Sequence, residues 1–143
     1  MATFNKINSF VEHLAEKVHN LGADALTIAL TNTAPTAGMI LLSEITEIAY
    51  TNVVTTPTAA RVIGVTSSAQ TSGTYKLVLP DMVITATGGA IATFRYIVIY
   101  NDAPTSPLDP LIGWYDYGSA VTLADGETFT IDFDATNGVL QLV

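Results

Sequence analysis

The side chains that could carry chemistry are few, and most lie in the last third of the chain. Between Asn101 and Val143 there is no Lys or Arg, but there are Asp102, Asp109, Asp116, Asp125, Glu127, Asp132 and Asp134. Two carboxylates such as Asp116 and Asp132 suffice for glycoside hydrolysis when their separation is right, yet no spacing here selects any two of them. The run DGETFTIDFDATNG is rich in oxygen ligands of the kind calcium prefers. It misses the EF-hand pattern, because Gly138 comes too late and no glutamate follows at the closing position. His13 and His19 are the only histidines. Six residues apart on a helix, they lie about 120° from one another and do not readily share a metal; both are expected to face solvent. With no cysteine there is no thiol nucleophile, thiolate site or disulfide, and no G-x-S-x-G elbow is present. The sequence nominates no catalytic residue, no metal-ligand set and no cofactor.

The densest stretch is TFRYIVIYNDAPTSPLDPLIGWYDYGS, residues 93–119. Read as a hairpin with a symmetric loop, it pairs Tyr100 with Leu111, Val98 with Gly113, Tyr96 with Tyr115 and Arg95 with Asp116. Opposite charges directly across a sheet stabilise it, so Arg95 and Asp116 are expected to form a structural ion pair. The same register places Phe94, Tyr96, Tyr100, Tyr115 and Tyr117 on one face, with Ile97, Ile99, Ile112 and Trp114 on the other. The aliphatic face reads as core. The tyrosine face, a candidate interface, has three readings: a second buried face, a contact with another protein, or a platform for stacking sugars. The loop NDAPTSPLDP is longer than hairpin loops usually are, and its prolines stiffen it into an acidic projection.

The elements that must position these residues follow from hydrophobic period. Over about residues 4–21, Phe4, Ile7, Phe10, Val11, Leu14, Val18 and Leu21 fall within an arc of about 120°. They predict one amphipathic helix, with Thr3 as N-cap and Gly22 just past its end. From about residue 25 the period becomes 2. ALTIALT reads as a half-buried strand with Leu26, Ile28 and Leu30 inward, followed by strands in RVIGVTS, TYKLVL, MVITAT, IATFRYIVIY, LIGWYDY, SAVTL and ETFTIDF. SEITEIA reads as a helical turn capped by Ser43. Asn137-Gly138 suggests a tight hairpin into VLQLV. The expected architecture is mostly β, a single antiparallel β-sandwich domain over residues 1–143 with one N-terminal amphipathic α-helix.

Composition excludes several classes. Hydrophobic residues make up 49% of the chain and charged residues 13%, about half the usual charged share, which suits burial of surface against other subunits. The net charge is −8, with five Lys and Arg in all, so no basic patch for nucleic acid is expected. No apolar run approaches the roughly 20 residues of a membrane span, and MATFNKINSF lacks the pattern of a secretory signal.

TFRYIVIYND, PLIGWYDYGSAVTLADGETFTIDF and NGVLQL, together with EHLAEKVHNLGADALTIALTNTAP and EITEIAY near the N-terminus, resemble a group of small virion proteins of tailed bacteriophages. The likeness covers nearly the whole chain; TNVVTTPTAA departs from the glycine-rich turn pictured after Tyr50 in that group. The resemblance implies a non-enzymatic building block present in many copies, a decoration or cement protein on the capsid surface, made in the host cytoplasm. Its implied partners are further copies of itself and the major capsid or another virion protein. A tail or head–tail connector component is the close alternative. Rival readings from other classes are a carbohydrate-binding or host-adhesion module and an acid-based hydrolase.

Overall fold

The first twenty residues do not form the single helix that their apolar spacing predicts. In the computed structural model, which describes residues 2–143, β1 (Phe4–Lys6) is a short edge strand and α1 (Phe10–Ala15) is a helix of under two turns. The strand forms because β1 pairs antiparallel with residues 113–115, Phe4 opposite Tyr115 and Lys6 opposite Gly113. Only glycine permits this approach: a Cβ on Gly113 would fall 2.7 Å from the Asn5 carbonyl oxygen and into the Phe4 ring. The helix stops at Glu16, because Lys17 takes a positive φ of 64°. The expected apolar stripe is therefore divided. Ile7, Phe10 and Leu21 are buried, Leu14, Val18 and Phe4 are partly covered, and Val11 is 49% exposed. Thr3 and Gly22 cap nothing.

The rest of the chain is strand and loop: β2 (Leu26–Thr31), β3 (Val53–Thr56), β4 (Val62–Ile63), β5 (Ser67–Thr71), β6 (Thr74–Val78), β7 (Met82–Ala86), β8 (Phe94–Asn101), β9 (Leu111–Val121), β10 (Thr128–Ile131) and β11 (Leu140–Leu142). The protein is mostly β, with antiparallel sheets and one short helix near the N-terminus. A five-stranded sheet runs in the order β1-β9-β8-β2-β4, and two three-stranded sheets run β10-β7-β3 and β11-β6-β5. All three contribute to one core, through Leu30 and Ile97, Met82 and Ile84, and Leu77 and Leu140 respectively. In β7 the alternation is clean: Met82, Ile84 and Ala86 are buried, while Val83 and Thr85 are only partly covered, as a strand with one core face requires.

Several local readings change in three dimensions. LIGWYDY and SAVTL are one strand, β9. The expected helical turn at SEITEIA is a 3-10 turn, Leu42–Glu44, that begins after Leu41 rather than at Ser43. β2 is buried on both faces rather than one. Its threonine face is covered by the segment that follows it, where Thr31 Oγ1 donates to the Thr46 carbonyl at 2.6 Å and the Tyr50 hydroxyl accepts from Leu30 N at 3.0 Å. The C-terminal strand does not fold back on β10 as a hairpin. It pairs with β6, Leu140 opposite Leu77. Gly138, at φ 78°, is the residue that lets the chain pass this close: a Cβ there would lie 2.6 Å from the Leu77 carbonyl oxygen.

Candidate functional site

The hairpin of β8 and β9 begins in the expected register and leaves it at once. Tyr100 faces Leu111, but Ile99 faces Gly113, so Ile112 is an extra residue on β9. Such a bulge slips the register by one, and a one-residue slip sends every later side chain to the opposite face. Val98 consequently faces Trp114, Ile97 faces Tyr115, and Tyr96 faces Asp116. The shared tyrosine face predicted from the sequence does not exist. Leu30, Ile97, Tyr115 and Phe4 are successive partners across one face; Ala29, Val98, Trp114 and Asn5 are partners across the other. Phe94 and Tyr100 are buried, Tyr96 is partly covered beside Arg95, and Tyr117 is exposed.

A second irregularity sits at the far end of β8. Between the Phe94–Val121 and Tyr96–Asp116 pairs, Arg95 alone opposes Tyr117, Gly118, Ser119 and Ala120. Here Arg95 and Asp116 meet as a bidentate ion pair, Nε to Oδ1 at 2.7 Å and Nη2 to Oδ2 at 2.8 Å. Asp116 Oδ1 also accepts from Gly118 N at 2.8 Å, and Gly118 has a φ of 94°. The hydrogen bonds from Arg95, then that from Gly118, hold the Asp116 carboxyl below the usual carboxylate range.

What the bulge does assemble is an aromatic groove of about 460 Å³. Phe4 from the edge strand lies 5.4 Å from Tyr115, centroid to centroid, and Tyr115 lies 6.1 Å from Phe133. Tyr117 meets Phe129 of β10 edge-on at 5.1 Å, and Phe129 in turn meets buried Phe94 at 5.4 Å. Asp132 and Asp134 supply the charged part of the lining. Burial, followed by the nearby Asp134 carboxylate, pushes the Tyr115 hydroxyl up to about 12, so it stays a neutral phenol at physiological pH. Asp134 is held low by hydrogen bonds from Asn137 and Thr136 and stays anionic. The sequence reading found Tyr115 and Tyr117 but missed Phe4, Phe129 and Phe133. The alternation of Phe129 and Phe133 in ETFTIDF was visible, and Phe4 was read onto the helix stripe, but the partners of all three lie on distant strands.

The histidines are not the pair of exposed side chains expected. His19 is 5% exposed and His13 is partly buried, with ring centroids 5.7 Å apart. Asn101 Nδ2 donates to His19 Nδ1 at 3.1 Å and to Asp24 Oδ2 at 2.6 Å, which leaves the neutral ring's proton on Nε2. That Nε2 is buried without a partner, as is His13 Nδ1. Burial lowers the His19 pKa to about 4, reinforced by His13 and opposed by Asp24. His19 misses the helical face because the helix ends at Ala15, and the chain beyond it carries His19 back against His13, which stays on the helix and is partly covered. Among the described residues, no group of three or more His, Cys, Asp or Glu side chains is placed to hold a metal ion.

The acidic loop of residues 102–110 docks at its end rather than projecting throughout. Leu42 N donates to the Asp109 carbonyl and Leu111 N to the Ile40 carbonyl, at 3.0 and 2.8 Å. Pro110 is buried, whereas Leu108 is 61% exposed.

Comparison with protein-family models, with curated proteins and with solved structures finds no match to this chain.

Proposed function

We propose that this chain is a non-enzymatic structural protein of a tailed-bacteriophage virion, a capsid decoration or cement subunit present in many copies. The observation that carries its assembly role is the aromatic groove, which stands open in the single chain with Tyr117 52% exposed at its edge. Aromatic side chains are enriched where one protein surface meets another. Exposed Val11, Ile40, Val54 and Leu108 offer separate surface for contacts between copies. The placement in a virion is supported by the resemblance of the strand and turn sequences described above. A tail or head–tail connector subunit would use the same surfaces.

Light scattering of the purified chain over a wide concentration range tests the self-association. The expected result is a discrete oligomer above the 15.1 kDa monomer. A monomer at every concentration, with measurable affinity for oligosaccharides, would favour a host-adhesion module instead.

A further inference from the structure

The walls and charges of the aromatic groove favour one class of occupant. The rings do not form a flat platform: the planes of Phe4 and Tyr115 are inclined at 53°, and those of Tyr117 and Phe129 at 82°. The charged lining residues, Asp132 and Asp134, are both acidic, and among the described residues none that lines the groove has an amide or cationic side chain. Asp134 accepts from Thr136 N, Asn137 N and Asn137 Nδ2, while Lys76 Nζ is committed to the Thr136 carbonyl at 3.2 Å. Asp132 is exposed and accepts no hydrogen bond among the described residues. Beyond the hydroxyls of Thr130 and the tyrosines, every polar side chain here only accepts.

A sugar lies best on a flat ring face with several donors beside the acceptors; the inclined rings, and hydroxyls as the sole side-chain donors, suit it less well than they suit a cation. A second copy of the chain would bring a net charge of −8 to an acidic groove. A planar cation matches both features, because ring faces attract it and carboxylates accept its fork of donors. We propose that the groove is a docking site for an arginine-bearing segment of a basic virion partner, with the guanidinium held among the aromatic rings and the Asp132 and Asp134 carboxylates. This deepens the assembly reading and rests on it.

The test is an NMR titration of the full chain with three probes: acetyl-Leu-Arg-Leu-amide, the same peptide with Gln in place of Arg, and cellobiose. The arginine peptide should shift the amides of Tyr115, Tyr117 and residues 129–134, and bind at least about threefold more tightly than the Gln peptide. Asp132→Asn, at an exposed position, should weaken it by a similar factor, and added salt should weaken it further. Tyr117→Ala should do the same; if that variant fails to fold, Asp132→Asn decides. The assignment is overturned by equal binding of the two peptides, by shifts confined to other surfaces, by no shifts at all, or by cellobiose occupying the groove in preference. Failure here, with the chain still present in purified particles, removes the arginine assignment alone. Absence from particles removes the assembly reading itself.

Discussion

Arg95 and Asp116 are joined by two parallel hydrogen bonds, yet the residue directly across the sheet from Asp116 is Tyr96. The pair forms diagonally because the pairing register shifts between Phe94 and Tyr96, where four residues of β9 bulge out opposite Arg95. Asp116 ties off that bulge by also accepting from Gly118 N. The ion pair thus fixes where β9, from Tyr117 to Ala120, bulges away from β8 before Val121 pairs with Phe94.

Replacing Arg95 with Gln should raise the pKa of Asp116 toward the ordinary carboxylate value, since the Arg95 hydrogen bonds are the largest cause of its depression. A carbon-detected NMR titration of the carboxyl checks this. A folded pKa below the unfolded one means that the contribution to stability is present above the unfolded value and is lost as pH falls through the folded one. Both side chains are more than a third exposed, so the effect on overall stability should be small and salt-sensitive. An unshifted Asp116 would show that Gly118 alone sets its environment.

Phe10 and Val11 are neighbours with opposite fates. Phe10 is fully buried and packs against His19 at 5.3 Å, whereas half of Val11 faces solvent. Phe10→Ala should cost about 3–5 kcal/mol of unfolding free energy, and Val11→Ala about 0.5 kcal/mol or less. Urea denaturation of the two variants distinguishes this arrangement from a continuous helix, in which both would lie on the buried stripe.

Stability should fall with acid before the carboxylates titrate. His19 has its folded pKa lowered by burial to about 4, from the ordinary histidine value of 6.5. The unfolded chain therefore binds the proton more readily, and the contribution is complete above 6.5 and lost as pH drops toward 4. Between pH 8 and 4.5 the loss should be roughly 2–3 kcal/mol. His19→Gln, whose amide oxygen can still accept from Asn101, should flatten that part of the profile. An unchanged profile would mean that other groups carry the acid sensitivity.

Much of the fold was legible because it is local. The alternation of Met82, Ile84 and Ala86, and the run from Phe94 to Asn101, identify strands by period alone. The failures have specific causes. Phe4 keeps helical spacing with Phe10, but its strand conformation is set by Gly113, more than a hundred residues away, which clears space for the Phe4 ring. Ile112 carries no signal that it is an extra residue, yet it decides which face Tyr115 occupies. Leu140 pairs with Leu77 rather than with its neighbour in sequence, and no local turn signal could reveal that. The groove lay beyond reach for the same reason: Phe4, Tyr115 and Phe129 come from three strands that only the tertiary fold brings together.

The most direct test of the assembly account is the copy number of this chain in gradient-purified phage particles, by quantitative mass spectrometry against the major shell protein. The account predicts that the chain is present in many copies, in a fixed ratio that survives repeated purification. A chain abundant in the infected cell but absent from the particles would contradict it.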